Sequence, residues 1–220
     1  MSCDTSLGEV APPLPTGAFS MLLSAKPASG KSTFLENILG KKSYYKKKFD
    51  NVYVFCPPSS IASLPNKSVI KNHDKIYDDL TLGNLDKVYQ KCLTSSKEEE
   101  NTLIVIDDLL HALKNNDILK LLEHIFCNRR HLRTSCIIST QVYNSLPLIL
   151  RKCLSHAVVW KLGNGKEKQS VMEELFAGQP KDIAERVLHL AHKERHDFLI
   201  CDLQNGRFHN SDLDEIVISD

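Results

Sequence analysis

Short apolar runs recur along the chain, separated by stretches in which apolar residues return every three or four positions. The runs at 18–23, 52–55, 103–106, 136–139, 157–160 and 198–201 are nearly continuous in apolar or small residues. That is the pattern of strands covered on both faces rather than on one. Helical periodicity is strongest near 32–39, 82–93, 116–127, 145–152 and 181–192. Strands alternating with helices predict an α/β fold whose mainly parallel central sheet is flanked by helices on both sides.

Between these segments the chain is polar. Residues 94–100 (TSSKEEE) predict a surface loop. The start is rich in Pro, Gly and Ser, and Ala11-Pro12-Pro13-Leu14-Pro15 suits neither a helix interior nor a central strand. Residues 1–16 are therefore expected to form a flexible arm, and 17–220 a single domain. A length of 220 residues agrees with one large domain at roughly 150 residues each.

Composition narrows the class. With 42% hydrophobic and 25% charged residues the chain falls in the globular range. The formal charge of +1 means that a polyanionic partner would have to be met by local basic patches. Seven cysteines form no C-x-x-C pair, and several lie in apolar runs, as expected of a reducing compartment. No apolar stretch approaches the roughly 18 residues that span a bilayer, so the expectation is an intracellular, soluble protein that needs no membrane. The densest basic stretch is Lys41, Lys42, Lys46, Lys47 and Lys48, interleaved with Tyr44 and Tyr45. It reads as a solvated turn or as a nucleic-acid contact. His189, His192 and His196 lack a metal-binding order and read as a helix end.

Three motifs carry the candidate chemistry. Residues 24–33, SAKPASGKST, lie between an apolar run and a helical segment. They match the phosphate-binding pattern G-x-x-x-x-G-K-[ST] at Gly30, Lys31 and Ser32, with Ala25 in place of the first glycine. Backbone amides of Ala28, Ser29, Gly30, Lys31, Ser32 and Thr33 would surround the phosphates of ATP at a helix N-terminus. Lys31 would place its charge between the β- and γ-phosphates, and the Ser32 hydroxyl would ligate Mg²⁺.

The second motif is Leu103-Ile104-Val105-Ile106-Asp107-Asp108, a buried-type strand ending in two carboxylates. Asp107 is the candidate Mg²⁺ acid and Asp108 the candidate base for the attacking water; a strand followed by a helix cap is the bland alternative. The third motif is Cys136-Ile137-Ile138-Ser139-Thr140-Gln141, which would direct Gln141 towards the γ-phosphate as a sensor. Just upstream, Arg130 is the first candidate for an arginine finger, with Arg129 and Arg133 as alternatives or DNA contacts. A basic helix end that complements the helix dipole is the structural alternative.

Taken in order, these motifs with Leu146-Pro147-Leu148-Ile149-Leu150-Arg151 resemble the genome-packaging ATPases of large eukaryotic DNA viruses and virophages, the poxvirus-type branch of the FtsK–HerA superfamily. The resemblance spans roughly residues 18–162. It implies a P-loop NTPase of the additional-strand (ASCE, RecA/FtsK–HerA-like) type, with the sensor strand between the strands of the phosphate loop and the acidic pair. It also implies ATP and Mg²⁺ as cofactors, a homo-oligomeric ring (pentamer or hexamer), double-stranded DNA as the cargo, and a capsid or portal protein as a partner. The implied location is the host cytoplasm or a viral factory, with association to the virion. By the same resemblance Lys31, Asp108, Gln141 and Arg130 are catalytic, and Ser32 and Asp107 hold the metal. Basic residues at 41–48 and Arg151-Lys152 are candidate DNA contacts. A small P-loop kinase and a non-translocating nucleotide-dependent scaffold are the competing readings.

Overall fold

The computed structural model describes residues 5–63, 68, 70 and 75–217; Cys3 and the first four residues of the expected arm lie outside them. In chain order the elements are β1 (Ser20–Ser24), α1 (Lys31–Gly40), β2 (Asn51–Phe55), α2 (Pro58–Ser63), β3 (Ile76–Tyr77), α3 (Leu82–Lys97), β4 (Thr102–Asp107), α4 (Asn116–Cys127), β5 (Thr134–Thr140), α5 (Leu148–Arg151), β6 (His156–Trp160), α6 (Gly165–Leu175), α7 (Lys181–Ala191), β7 (Phe198–Asp202) and β8 (Arg207–His209). Two 3₁₀ turns, Leu110–Lys114 and Tyr143–Ser145, precede α4 and α5.

The described strands form one sheet in the order β3-β2-β4-β5-β1-β6-β7-β8. From β3 to β6 all pairs are parallel, and β5 lies between β4 and β1, the arrangement that the family resemblance implies. The last two pairings are antiparallel, so the sheet is mainly parallel, as expected. For β7 and β8 the physical reason is the short connection from Asp202 to Arg207, where Gly206 has φ 66°, whereas β6 reaches β7 through α6 and α7. A link that short can join only antiparallel strands.

Alternate residues of each central strand enter opposite layers, which is why the runs are continuously apolar. Leu103, Val105, Met21, Leu23 and Ile137 pack on one face, and Ile104, Ile106, Leu22 and Ile138 on the other. The second face is covered by α3, α4, α6 and α7, through residues such as Val88, Leu122, Val171 and Val187. The first is covered by α1 and by the segment preceding β1. Leu7, Val10 and Leu14 are buried there, Ala11 N–H donates to the Ser43 carbonyl at 2.8 Å, and the Tyr45 hydroxyl donates to the Pro15 carbonyl at 3.1 Å. Residues 5–16 thus lie against the sheet layer instead of standing off it as an arm. One helix does not cover that face, and the three apolar side chains help to fill the remainder together with Tyr45.

Two further expectations are adjusted, and one helix was not expected. α3 continues to Lys97, so the start of the expected 94–100 loop is its last turn. The segment read as one helix at 145–152 is split, because Leu146 precedes Pro147 and is held extended at ψ 126°. The helix α6 follows a polar Gly163-Asn164-Gly165 start and is capped by the Asn164 side chain, which accepts from Glu167 N–H.

Candidate nucleotide site

The phosphate loop joins β1 to α1 at the carboxyl edge of the sheet, where ligands bind in open α/β folds. Ala25 extends the ladder by one step, its N–H donating to the Thr140 carbonyl at 3.0 Å. It is buried and is not among the residues of positive φ, so the substituted glycine position makes no left-handed demand here. The left-handed positions are Ala28 (φ 61°) and Gly30 (φ 98°). At Gly30 the demand coincides with the helix N-cap, which suits a residue without Cβ. The first turn of α1 has no acidic residue and no side-chain cap, leaving its amides to an anion.

Lys31 reaches across the sheet edge. Its Nζ donates to Ser139 Oγ at 3.0 Å and lies 3.2 Å from Asp107 Oδ1. Ser139 Oγ in turn donates to Asp107 Oδ1. The contact follows from register, since β5 sets Ser139 beside both Asp107 of β4 and Leu23 of β1. Cys56, just after β2, brings its Sγ to 3.8 Å from Asp107 Oδ2. Burial pushes this thiol up to about 12, and the neighbouring carboxylate adds to the shift, so it stays a neutral donor.

Asp108 follows β4 in a left-handed conformation (φ 57°), which turns its side chain towards Gln141. Gln141 Nε2 donates to Asp108 Oδ2 at 2.9 Å. The loop after Gln141 is held by a buried carboxylate: Glu167 accepts from Tyr143 N–H and from Gly163 N–H, both at 2.8 Å. Tyr143 hydroxyl donates to Glu174 at 3.0 Å, and Arg151 pairs with the same Glu174 at 2.9 Å.

Ala28, Ser29, Gly30, Lys31, Ser32 and Thr33 line one cleft of about 490 Å³ together with Asp107, Asp108 and Gln141. His196 and Ser60 also line it. Sequence reasoning missed Cys56 and Ser60, gave Ser139 no role within its motif, and read His196 as a helix end although α7 stops at Ala191. His192 is committed elsewhere, its Nε2 lying 2.8 Å from the Val159 carbonyl oxygen.

The remaining candidates lie apart from this cleft. Arg130 precedes β5 and lines a different cavity with His156 and Arg207. Six residue steps at ~3.3 Å separate the ends of β5 by about 20 Å, so Arg130 is at the opposite edge of the sheet. Arg129 is half-buried and donates to the Phe126 carbonyl at 3.0 Å. Arg151 is turned inward onto Glu174 and the Tyr143 ring, which removes it from the candidate DNA contacts, whereas Lys152 is exposed. The 41–48 stretch is a turn in which Tyr45 is buried against Phe19 and most of the lysines face solvent. Among the described residues no helix is long and apolar enough to cross a membrane.

Sheet order and cleft together define a P-loop NTPase fold of the additional-strand type. The family model of the poxvirus A32 protein matches residues 13–213, and the chain belongs to that family. A curated relative is the DNA packaging protein OPG160 of Variola virus, 25% identical over 176 residues that cover 75% of this chain. The chain spans 61% of that relative's length. Among solved structures, the DNA-packaging ATPase B204 from Sulfolobus turreted icosahedral virus is similar with a TM-score of 0.65 at 14% identity, covering 91% of this chain and 98% of that one. The genome packaging NTPase B204 from Sulfolobus turreted icosahedral virus 2, in complex with ATPγS, gives a TM-score of 0.61 at 19% identity, covering 88% and 96%.

Proposed function

We propose that this chain is an ATP-hydrolysing motor that moves double-stranded DNA into a preformed viral capsid. The observation that carries the reading is the Lys31–Ser139–Asp107 contact in a cleft shared with Ser32, Asp108 and Gln141. The names of its relatives, a DNA packaging protein and genome-packaging NTPases, support the same function.

The geometry supports a division of labour. The amides of residues 28–33 take the phosphates, and Lys31 exchanges Asp107 for the β- and γ-phosphate oxygens. Ser32 and the Asp107 carboxylate would hold Mg²⁺, a hard cation that suits hydroxyl and carboxylate donors. The metal supplies neutralisation of charge on the phosphate oxygens. Because the Gln141 amide nitrogen donates to Asp108, its carbonyl oxygen and the second Asp108 oxygen are both acceptors for the lytic water. Such a site acts mainly by positioning and charge stabilisation.

Arg130 serves the neighbouring subunit in a homo-oligomeric ring, which accounts for its place across the sheet from its own cleft. Val142, next to Gln141 in the chain, and Leu148 and Ile149 of α5 are exposed and suit a subunit contact. Lys41, Lys42, Lys46 and Lys47 are exposed and suit contacts to DNA phosphates. The location proposed for this activity is intracellular, at the capsid.

A triplex-displacement assay on long duplex DNA tests the reading. ATP-dependent release of the third strand is expected from the wild-type chain and none from Lys31→Ala. Hydrolysis without release, or phosphate passed to a small acceptor, would contradict it.

A further inference from the structure

The cysteines among the described residues are all free thiols, and Cys56, Cys92, Cys136 and Cys201 are buried. Cys127 and Cys153 differ from these four. Cys127 is the last residue of α4 and is exposed, while Cys153 is half-buried in the link between α5 and β6. Although 26 positions separate them in the chain, their Sγ atoms lie 3.2 Å apart. A disulfide is about 2.05 Å long, so closing this pair asks for a movement of roughly 1 Å.

The fold holds the two sulfurs together. Leu150 of α5 packs in the same core as Leu122, Ile125 and Phe126 of α4, and the Cys153 carbonyl accepts from Ser20 Oγ at 2.7 Å, at the start of β1. Arg129 supplies the electrostatics. Its guanidinium interacts with both thiols, Nη1 donates to the Phe126 carbonyl at 3.0 Å, and the buried Nε has no hydrogen-bond partner. A cation beside a thiol favours the thiolate. Burial first, and the adjacent Cys127 thiol second, push Cys153 up to about 11, with Arg129 pulling the other way. The exposed Cys127 is therefore the sulfur that a reagent from solvent meets first, and Cys153 stands behind it as a neutral thiol.

We propose that Cys127 and Cys153 form a reversible thiol–disulfide site that is oxidised by hydroperoxides. The Cys127 sulfur attacks one peroxide oxygen and the O–O bond breaks. The other oxygen leaves with the thiol proton as an alcohol, or as water from hydrogen peroxide, and Cys127 becomes a sulfenic acid. The Cys153 sulfur then attacks the Cys127 sulfur, the S–S bond forms, the S–O bond breaks, and the departing hydroxide takes the Cys153 proton as water. Two thiols are oxidised and one peroxide is reduced, and a small dithiol reverses the bond by exchange. The disulfide joins the end of α4 to the link before β6 and closes a loop that contains the Asn128–Arg133 turn and all of β5. It thereby restrains Arg130, a consequence that rests on the proposed role of that arginine, whereas the bond itself does not.

The test treats the reduced full chain with hydrogen peroxide, alkylates the remaining thiols, and follows intact mass and unreduced proteolytic peptides by mass spectrometry. The expected result is the loss of two hydrogens per chain, one linked peptide pair holding Cys127 and Cys153, and a melting temperature above that of the reduced chain. Dithiothreitol should restore both the mass and the melting temperature. Cys127→Ser, at an exposed position, should keep the fold and the hydrolysis of the reduced chain but form no bond, and Cys153→Ser should leave a sulfenic acid on Cys127 that dimedone labels. Oxygen added to Cys127 without a linked pair, or a bond between chains or through other cysteines, Cys3 included, overturns the site. DNA-stimulated hydrolysis should fall several-fold in the oxidised wild type and not in peroxide-treated Cys127→Ser. A linked pair with unchanged hydrolysis overturns the restraint on Arg130 alone. A chain that forms the bond and hydrolyses no ATP in either state contradicts the motor reading and supports the thiol site.

Discussion

Lys31 is held at the mouth of the cleft by Asp107 at 3.2 Å and by Ser139 at 3.0 Å, groups that would release it to a triphosphate in the proposed role. Lys31→Ala should lower hydrolysis by about 10²–10³-fold. The fold should survive, since the side chain spans a cleft and fills no core; equal melting temperatures with lost activity would check this. His156 makes a second demand, on stability. Burial, with a smaller contribution from Arg129, lowers its pKa to about 4, against the raising effect of the Asp202 carboxylate 3.7 Å away. The unfolded imidazole takes its proton near pH 6.5 and the folded one only near 4. The contribution is therefore complete above pH 6.5 and is lost as the pH falls through that window, by about 3 kcal/mol. Urea denaturation at pH 7 and 4.5 should show this loss in the wild type and a flatter dependence in His156→Asn; the same slope in both would reject it.

Leu7, Val10 and Leu14 tie residues 5–16 to the face that α1 leaves partly uncovered. Leu14→Ala should cost about 2–4 kcal/mol, read as a lower chemical-denaturation midpoint, whereas a free arm would give no change. This segment also shows what local pattern conveys. Proline excludes helix and strand interiors but says nothing about docking, so 1–16 read as an arm. The central strands were legible because burial on both faces leaves continuous apolar runs, as in Leu103 to Ile106. Strand direction has no such trace, and β7 and β8 run antiparallel. The same limit applies to the site. Lys31, Ser32, Asp107, Asp108 and Gln141 stand in local motifs. Ser139 meets Lys31, 108 positions away, only through the register of β5 between β4 and β1. Glu167 holds the loop after Gln141 through two backbone amides, a role that no side-chain motif records.

The molecule separates its chemistry from its basic surfaces. The nucleotide cleft lies at the carboxyl edge of the sheet, and Arg130 and the 41–48 turn lie where strands begin. A single copy then cannot bring Arg130 to its own cleft, but in the proposed ring it would reach the next. Mixing Arg130→Ala with Asp107→Ala, each inactive alone, should restore part of the hydrolysis, because the second variant lends its arginine to the intact cleft of the first. No recovery under conditions where the wild type assembles would place the finger elsewhere. The most direct test of the proposed motor is steady-state ATP hydrolysis with and without long double-stranded DNA, at low and moderate salt and across protein concentrations. The account predicts stimulation by DNA that weakens with salt and rises steeply with protein concentration. Hydrolysis indifferent to DNA and strictly proportional to protein would contradict it.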